Sequence, residues 1–236
     1  MILEVKNLNV YIKASHILRN VTIEVGEKEV VCLIGRNGAG KTTLLRSIMG
    51  FLKLEAGGIK FKGEEIKGLT PHEIALKGMG FAPEESEIFA DLTTFENIEI
   101  ATWTRQTSRA PEERIKLAYS VFPVLERYKA RRGEQISGGE RKMLSIARAL
   151  ALDPDILLLD ESFEGLSPAI IPQIAESIHE IAKMGRSIFL AESNIYHVPD
   201  FTDRVYVIER GEIIFSGKPE ALIKDKAVLK IVAGAA

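Results

Sequence analysis

Gly35-Arg36-Asn37-Gly38-Ala39-Gly40-Lys41-Thr42 joins a continuous apolar segment to a helical one. Before it, Val30-Val31-Cys32-Leu33-Ile34 reads as a strand buried on both faces; after it, Lys41 to Phe51 reads as a helix. The glycines therefore fall on a strand-to-helix turn. Glycine lets consecutive backbone N–H groups turn inward around an anion, and the helix N-terminus adds partial positive charge. At this spacing Lys41 can reach the β- and γ-phosphates of a nucleotide and the Thr42 hydroxyl can ligate Mg²⁺. Gly35, Arg36, Asn37, Gly38, Ala39, Gly40, Lys41, Thr42 and Thr43 are the expected cradle of a nucleoside triphosphate, with Thr43 near the α-phosphate.

The rest of the composition fits a folded enzyme domain. The chain has 236 residues, 46% hydrophobic and 27% charged, enough to bury a core as one domain or as a core with a subdomain. No apolar run approaches the roughly 18 residues of a membrane span, and Met1 to Val10 alternates like a strand rather than a signal peptide. A cytoplasmic chain is the expectation. The single cysteine, Cys32, falls inside the strand before the glycine loop and reads as a small core residue. A net charge of −2 argues against a general nucleic-acid grip, and Lys129-Ala130-Arg131-Arg132 reads as solvated surface.

Along the chain, residues 2 to 34 read as three strands separated by Ala14-Ser15-His16 and Gly26-Glu27-Lys28. A hairpin-like pair at Gly58 to Phe61, a short helix at Pro71 to Leu76 and a strand at Met79 to Ala82 follow. From Leu92 to Leu152 the pattern is nearly all helical; Asp155 to Asp160, Ser187 to Ala191 and Arg204 to Ile208 return to strand. This order predicts a parallel α/β core interrupted by a helical subdomain, without repeats or low-complexity linkers.

Two further constellations carry chemistry. Ile156-Leu157-Leu158-Leu159 is a buried strand that delivers Asp160 and Glu161 to its C-terminal edge, where open α/β sheets place ligands. Asp160 can hold Mg²⁺ and Glu161 can act as general base on a water. An apolar run ending in two acids can equally be a strand entering a solvated loop. Ile136-Ser137-Gly138-Gly139-Glu140 precedes the helical run Arg141 to Leu152; it offers a second anion site, or simply an N-cap and turn.

Taken together, these three motifs resemble, in order and spacing, an ATP-binding-cassette nucleotide-binding subunit from end to end. The resemblance implies an α/β P-loop NTPase: a RecA-like parallel core, an N-terminal antiparallel β subdomain and an inserted α-helical subdomain. It places a single domain over 1–236, with the core and β subdomain in 1–91 and 153–236 and the helical signature subdomain in 92–152. It further implies ATP with Mg²⁺, and a head-to-tail dimer in which Ser137, Gly138 and Gly139 meet the γ-phosphate bound to the other cassette. Phe81-Ala82-Pro83-Glu84-Glu85-Ser86-Glu87-Ile88-Phe89, Met143-Leu144 after the SGGE run, and Glu164-Gly165-Leu166-Ser167-Pro168 are similar to the branched-chain amino acid importer type, LivF. Importers of urea and other amides share these features.

Departures from the family pattern bear on mechanism. Glu84 stands where most cassettes carry a glutamine that contacts Mg²⁺ and water; a carboxylate keeps metal-ligand capacity but donates no hydrogen bond. Ser193 stands in the place of the switch histidine and cannot carry positive charge, while His197 is either a substitute or ordinary surface. Ser162 replaces the proline after Glu161. At the adenine end, Ile12 occupies the aromatic position and Tyr11 lies one step away, so Tyr11 stacks on the base only if the strand slips.

As partners the resemblance implies transmembrane permease subunits docking near the Glu84 to Phe89 segment, where Ile88 and Phe89 either offer apolar contact or pack into the helical subdomain, a second cassette in a homo- or heterodimer, a solute-binding protein indirectly, and no nucleic acid. The location would be cytoplasmic, peripheral at the inner face of the membrane. Two other readings stay open: a soluble cassette ATPase of translation or DNA repair, and a nucleotide-binding module weak in catalysis that acts with another cassette.

Overall fold

Five consecutive apolar residues without a polar face can form a strand only if both faces are covered, and β3 (Val30–Ile34) is buried throughout. In the computed structural model, which describes residues 1–233, it follows β1 (Leu3–Ile12) and β2 (Ser15–Val25). After it come α1 (Lys41–Ile48), β4 (Ala56–Phe61), β5 (Glu64–Glu65), α2 (Pro71–Leu76), β6 (Met79–Ala82), α3 (Thr94–Thr104), α4 (Pro111–Val121), α5 (Pro123–Arg127) and α6 (Gly138–Ala151). The chain closes with β7 (Ile156–Asp160), α7 (Ile171–Lys183), β8 (Ser187–Glu192), β9 (Arg204–Glu209), β10 (Glu212–Gly217), α8 (Pro219–Lys224) and α9 (Lys226–Ala233). Contacts group these elements into two units, Met1–Ile74 with the chain from Ser187 onward, and Ala75–Arg186.

The first unit holds a four-stranded antiparallel sheet, β2-β1-β4-β5, and a group of strands in which β3 runs parallel to β8 and β9 while β10 pairs antiparallel with β9. Alternation along β1 buries Leu3, Val5, Leu8 and Val10 against the interior. The turn between β1 and β2 is Lys13-Ala14, with Lys13 at φ 55, so Ser15 and His16 belong to β2 rather than to the expected linker. Helix α1 stops at Ile48, short of Phe51. Gly50 takes φ 75, and the Phe51 N–H donates to the Arg46 carbonyl at 2.9 Å, which closes the helix as a Schellman turn.

In the second unit β6 runs parallel to β7, and helices α3, α4 and α6 pack on one another. Thr93 caps α3 in a capping box with Glu96. Fully buried Asn97 donates to the carbonyls of Phe89, Leu92 and Thr93 and accepts the Phe89 N–H, so its amide is satisfied without water and pins the segment before α3.

Beyond the expected elements, β10, α8 and α9 extend the first unit. Arg210 and Gly211, at φ 49 and 83, form the two-residue turn between β9 and β10 that matches the right-handed twist of the strands.

Candidate functional site

The glycine loop begins where β3 ends between β8 and β9. The Gly35 N–H donates to the Glu192 carbonyl at 3.2 Å, and a Cβ on Gly35 would lie 2.5 Å from the Ile208 carbonyl oxygen and 2.7 Å from its Cγ2. Only glycine lets the chain leave β3 so close to β9. Gly40 at φ 115 is the N-cap of α1 and brings no side chain to the first turn. Lys41 is 4% exposed; its Nζ donates to the carbonyls of Gly35 at 2.6 Å and Arg36 at 3.3 Å, so the ammonium is fixed by the loop that it follows. A buried ammonium and a helix N-terminus carry the same sign of charge, and both favour a polyanion. Gly211, which the sequence did not mark, donates its N–H to the Ala39 carbonyl at 2.9 Å and accepts the Arg19 N–H at 2.8 Å, tying the loop to the β9–β10 turn and to β2.

At the end of β8, Glu192 is fully buried and Ser193 half-buried. Asn194 accepts the Tyr196 N–H at 3.0 Å and opens a single 3-10 turn, Ile195–His197. That turn carries His197 Nδ1 to 3.4 Å from the Glu192 carboxylate, so His197 faces a buried acid instead of open solvent. On the β1–β2 hairpin, the half-exposed ring of Tyr11 stacks on His16 with centroids 4.2 Å apart and planes 5° from parallel. A register shift between Val10 and Tyr11 accompanies this pairing. His16 also lies 3.0 Å from Asn9 Oδ1, and its ring is a partner that sequence alternation did not supply.

The second unit gathers the remaining predicted residues. Strand β7 is buried along its length and ends at Asp160, 1% exposed, followed by buried Glu161. Glu161 takes φ 47, a left-handed conformation that costs a residue with a Cβ about 1–2 kcal/mol. Such strain persists only where the surroundings dictate it. Glu84 lies in the exposed loop after β6, and its carbonyl accepts the Lys142 ammonium at 2.5 Å. Lys142, buried on α6, thereby links the Glu84 loop to the helix that starts at the SGGE run; the sequence reading passed over it because only tertiary contact reveals the pairing. Ser137 is indeed the N-cap of α6. Its Oγ accepts the Glu140 N–H at 3.3 Å, and its own N–H donates to Glu140 Oε2 at 2.7 Å. Capping leaves Ser137 and Gly138 exposed, and a Cβ on Gly138 would meet nothing within 4 Å.

A glycine loop closed on a buried lysine at the start of a helix, on a strand flanked by parallel neighbours, defines a P-loop nucleoside-triphosphate-binding protein of α/β fold. Residues 18–164 match the family model described as ABC transporter, and the chain belongs to that family. It is an ABC transporter ATPase subunit, which binds ATP and ADP and hydrolyses ATP. The chain is 39% identical over 212 residues to the high-affinity branched-chain amino acid transport ATP-binding protein BraG of Pseudomonas aeruginosa, covering 89% of this chain and 90% of that protein. It is 33% identical over 235 residues to the lipopolysaccharide export system ATP-binding protein LptB of Haemophilus influenzae, covering 99% and 97%. Among solved structures, an ATP-binding cassette of an ABC transporter in its ADP conformation superposes with a TM-score of 0.83 at 26% identity, covering 99% of this chain and 98% of that one. A dimeric cassette in a post-hydrolysis state, bound to ADP and phosphate, gives 0.81 at 25% identity, with 92% and 98% covered. Among the described residues no helix is long and apolar enough to cross a membrane.

Proposed function

We propose that this chain powers a membrane importer for branched-chain amino acids or a related amino acid or amide, working at the cytoplasmic face beside transmembrane permease subunits. The observation that carries this reading is the 39% identity to BraG, together with the Pro83-Glu84 to Ile88-Phe89 segment and Met143-Leu144 behind the SGGE run. Similarity to LptB, which serves lipopolysaccharide export, favours a second reading in which the cargo is a lipid.

In the proposed cycle, Lys41 and the amides of the glycine loop hold the phosphates. Thr42, Asp160 and Glu84 each carry a hard oxygen donor of the kind that suits Mg²⁺. Bound Mg²⁺ would neutralise charge on the β- and γ-phosphates. Glu161 accepts a proton from the water that attacks the γ-phosphorus as the bond to ADP breaks. Ser193 contributes a hydroxyl where a histidine would bring charge, Tyr11 with His16 offers a flat surface to the base, and Ser137, Gly138 and Gly139 complete the site of a second cassette, identical or different. Ile88 and Phe89 meet the permease, and a solute-binding protein acts through it.

Reconstitution tests the cargo. The chain is combined in proteoliposomes with permease and second-cassette subunits of a branched-chain amino acid importer, and ATP hydrolysis is read with leucine-loaded binding protein present or absent. Stimulation and leucine uptake support the proposal. Assembly instead with lipopolysaccharide-export membrane subunits, and with no importer set, would overturn it.

A further inference from the structure

A cavity of about 280 Å³ opens in the first unit between the 3-10 turn after β8 and helix α8, remote in sequence from the glycine loop. The volume is close to the lower end of the roughly 300–1,000 Å³ typical of small-molecule sites. Its wall is aliphatic: Ile195 and Val198 from the turn, Val205 from β9, Leu222 and Ile223 from α8. Val205 and Leu222 are buried and anchor the floor, whereas Ile223 is 65% exposed at the mouth. Pro199 and Pro219, one on each side, fix the local backbone. Among the described residues, the charged ones that line it are two acids, Asp200 and Glu220.

An aliphatic wall with two carboxylates, and no cation among its described lining residues, selects by charge as well as by shape. Fatty acids and free amino acids would bring a carboxylate against Asp200 and Glu220, and a neutral alkane would gain nothing from them. We infer from this lining a binding site for a small primary aliphatic amine, its hydrocarbon body against Val198, Val205 and Leu222 and its ammonium drawn to Asp200 and Glu220. This occupant satisfies both halves of the lining at once.

The site is wired to the glycine loop. Ile195 and Val198, which line the cavity, belong to and follow the turn that presents His197. His197 Nδ1 lies 3.4 Å from the buried Glu192 carboxylate, and the Glu192 carbonyl accepts the N–H of Gly35 at 3.2 Å. A ligand that packs on Ile195 and Val198 therefore biases the His197–Glu192 contact and, through one backbone hydrogen bond, the first residue of the loop that holds ATP. This coupling rests on the glycine loop as the nucleotide site; binding of the amine itself does not.

Titration calorimetry of the full chain with hexylamine, without nucleotide, tests the site. Saturable binding with a Kd of about 1 mM or tighter is expected, with hexanol and hexanoate at least about tenfold weaker. The double variant D200N/E220Q changes two exposed side chains and leaves the wall intact, so it should fold and lose at least about tenfold in hexylamine affinity. Val198→Phe, which fills the cavity, should abolish binding. Coupling is read as ATP affinity with and without hexylamine: a change of about fivefold in the wild type, absent in His197→Ala. No saturable binding, equal binding of hexanol, or unchanged affinity in D200N/E220Q overturns the amine site. Amine binding with unaltered ATP affinity overturns the coupling, and failure to bind ATP at all would instead sink the reading of the glycine loop.

Discussion

Glu161 combines a side chain and a backbone conformation that can be separated by substitution. Its carboxylate is assigned the water proton, and its φ of 47 places a Cβ where L residues are strained. Replacing Glu161 by Gln keeps size and removes the base, and a positioned general base is worth about 10²- to 10⁴-fold, or roughly 3–5 kcal/mol of barrier. Glu161→Ala and Glu161→Gly should be equally inactive, yet they differ in backbone. Glycine relieves about 1–2 kcal/mol of left-handed strain and gives back about 0.5–1 kcal/mol in chain entropy. The glycine variant should therefore be more stable than the alanine variant by about 0.5–1 kcal/mol, which for a chain of this size is about 1–4 °C in melting temperature. Phosphate release at saturating Mg²⁺-ATP and differential scanning calorimetry read the two effects on the same preparations. Hydrolysis by Glu161→Gln within tenfold of wild type would remove Glu161 as base. A glycine variant that melts below the alanine variant would show that the surroundings do not hold this residue against its own preference.

Asp153 is buried and takes charge-assisted hydrogen bonds from Arg109 at 2.6 Å and from Arg186. Burial pushes its carboxyl upward, but Arg186, Thr107 and Arg109 outweigh burial and hold it below the ordinary 3.8. Its stabilisation is therefore complete above the unfolded value and is lost as pH falls through the lower folded one. Asp153→Asn should cost about 3 kcal/mol at pH 7 and flatten the acid limb below 3.8 in urea-unfolding curves taken across pH; an unchanged acid limb would refute this. Gly35→Ala pushes a methyl against the Ile208 backbone, so a loss of about 1–3 kcal/mol in stability with weaker ATP binding is expected by thermal melts and nucleotide titration, and wild-type values in both would contradict the close packing of the loop.

What could be read from the sequence was what continuous local chemistry encodes. The apolar runs of β3 and β7 have no polar face to mislead, and the glycines between β3 and α1 are needed by the backbone itself, so strand, loop and helix were legible together. Strand β10 was not anticipated because it pairs only with β9 among the strands of its unit and alternates between half-buried and exposed, with Ile214 left 38% exposed, so little hydrophobic contrast marks it. The end of α1 moved because Gly50 closes the helix through main-chain bonds that apolar spacing does not reveal. Tyr11 and His16 meet through a register shift, and regular alternation hides shifts. Lys142 on the Glu84 carbonyl and Gly211 on Ala39 are partnerships between distant residues, invisible until the chain is folded.

The neighbours of β3 carry a consequence for the order in which the protein can be made. Cys32 pairs in register with Leu190 and Val205, and Ala39 waits for the N–H of Gly211. A ribosome adding about 5–20 residues per second reaches those partners roughly 7–34 seconds after it has finished the glycine loop. For that interval the most hydrophobic strand of the first unit and the loop behind it exist without the elements that shape them. Nascent chains arrested before Gly211 should therefore be unable to retain ATP, so that nucleotide capture has to wait for the β9–β10 turn.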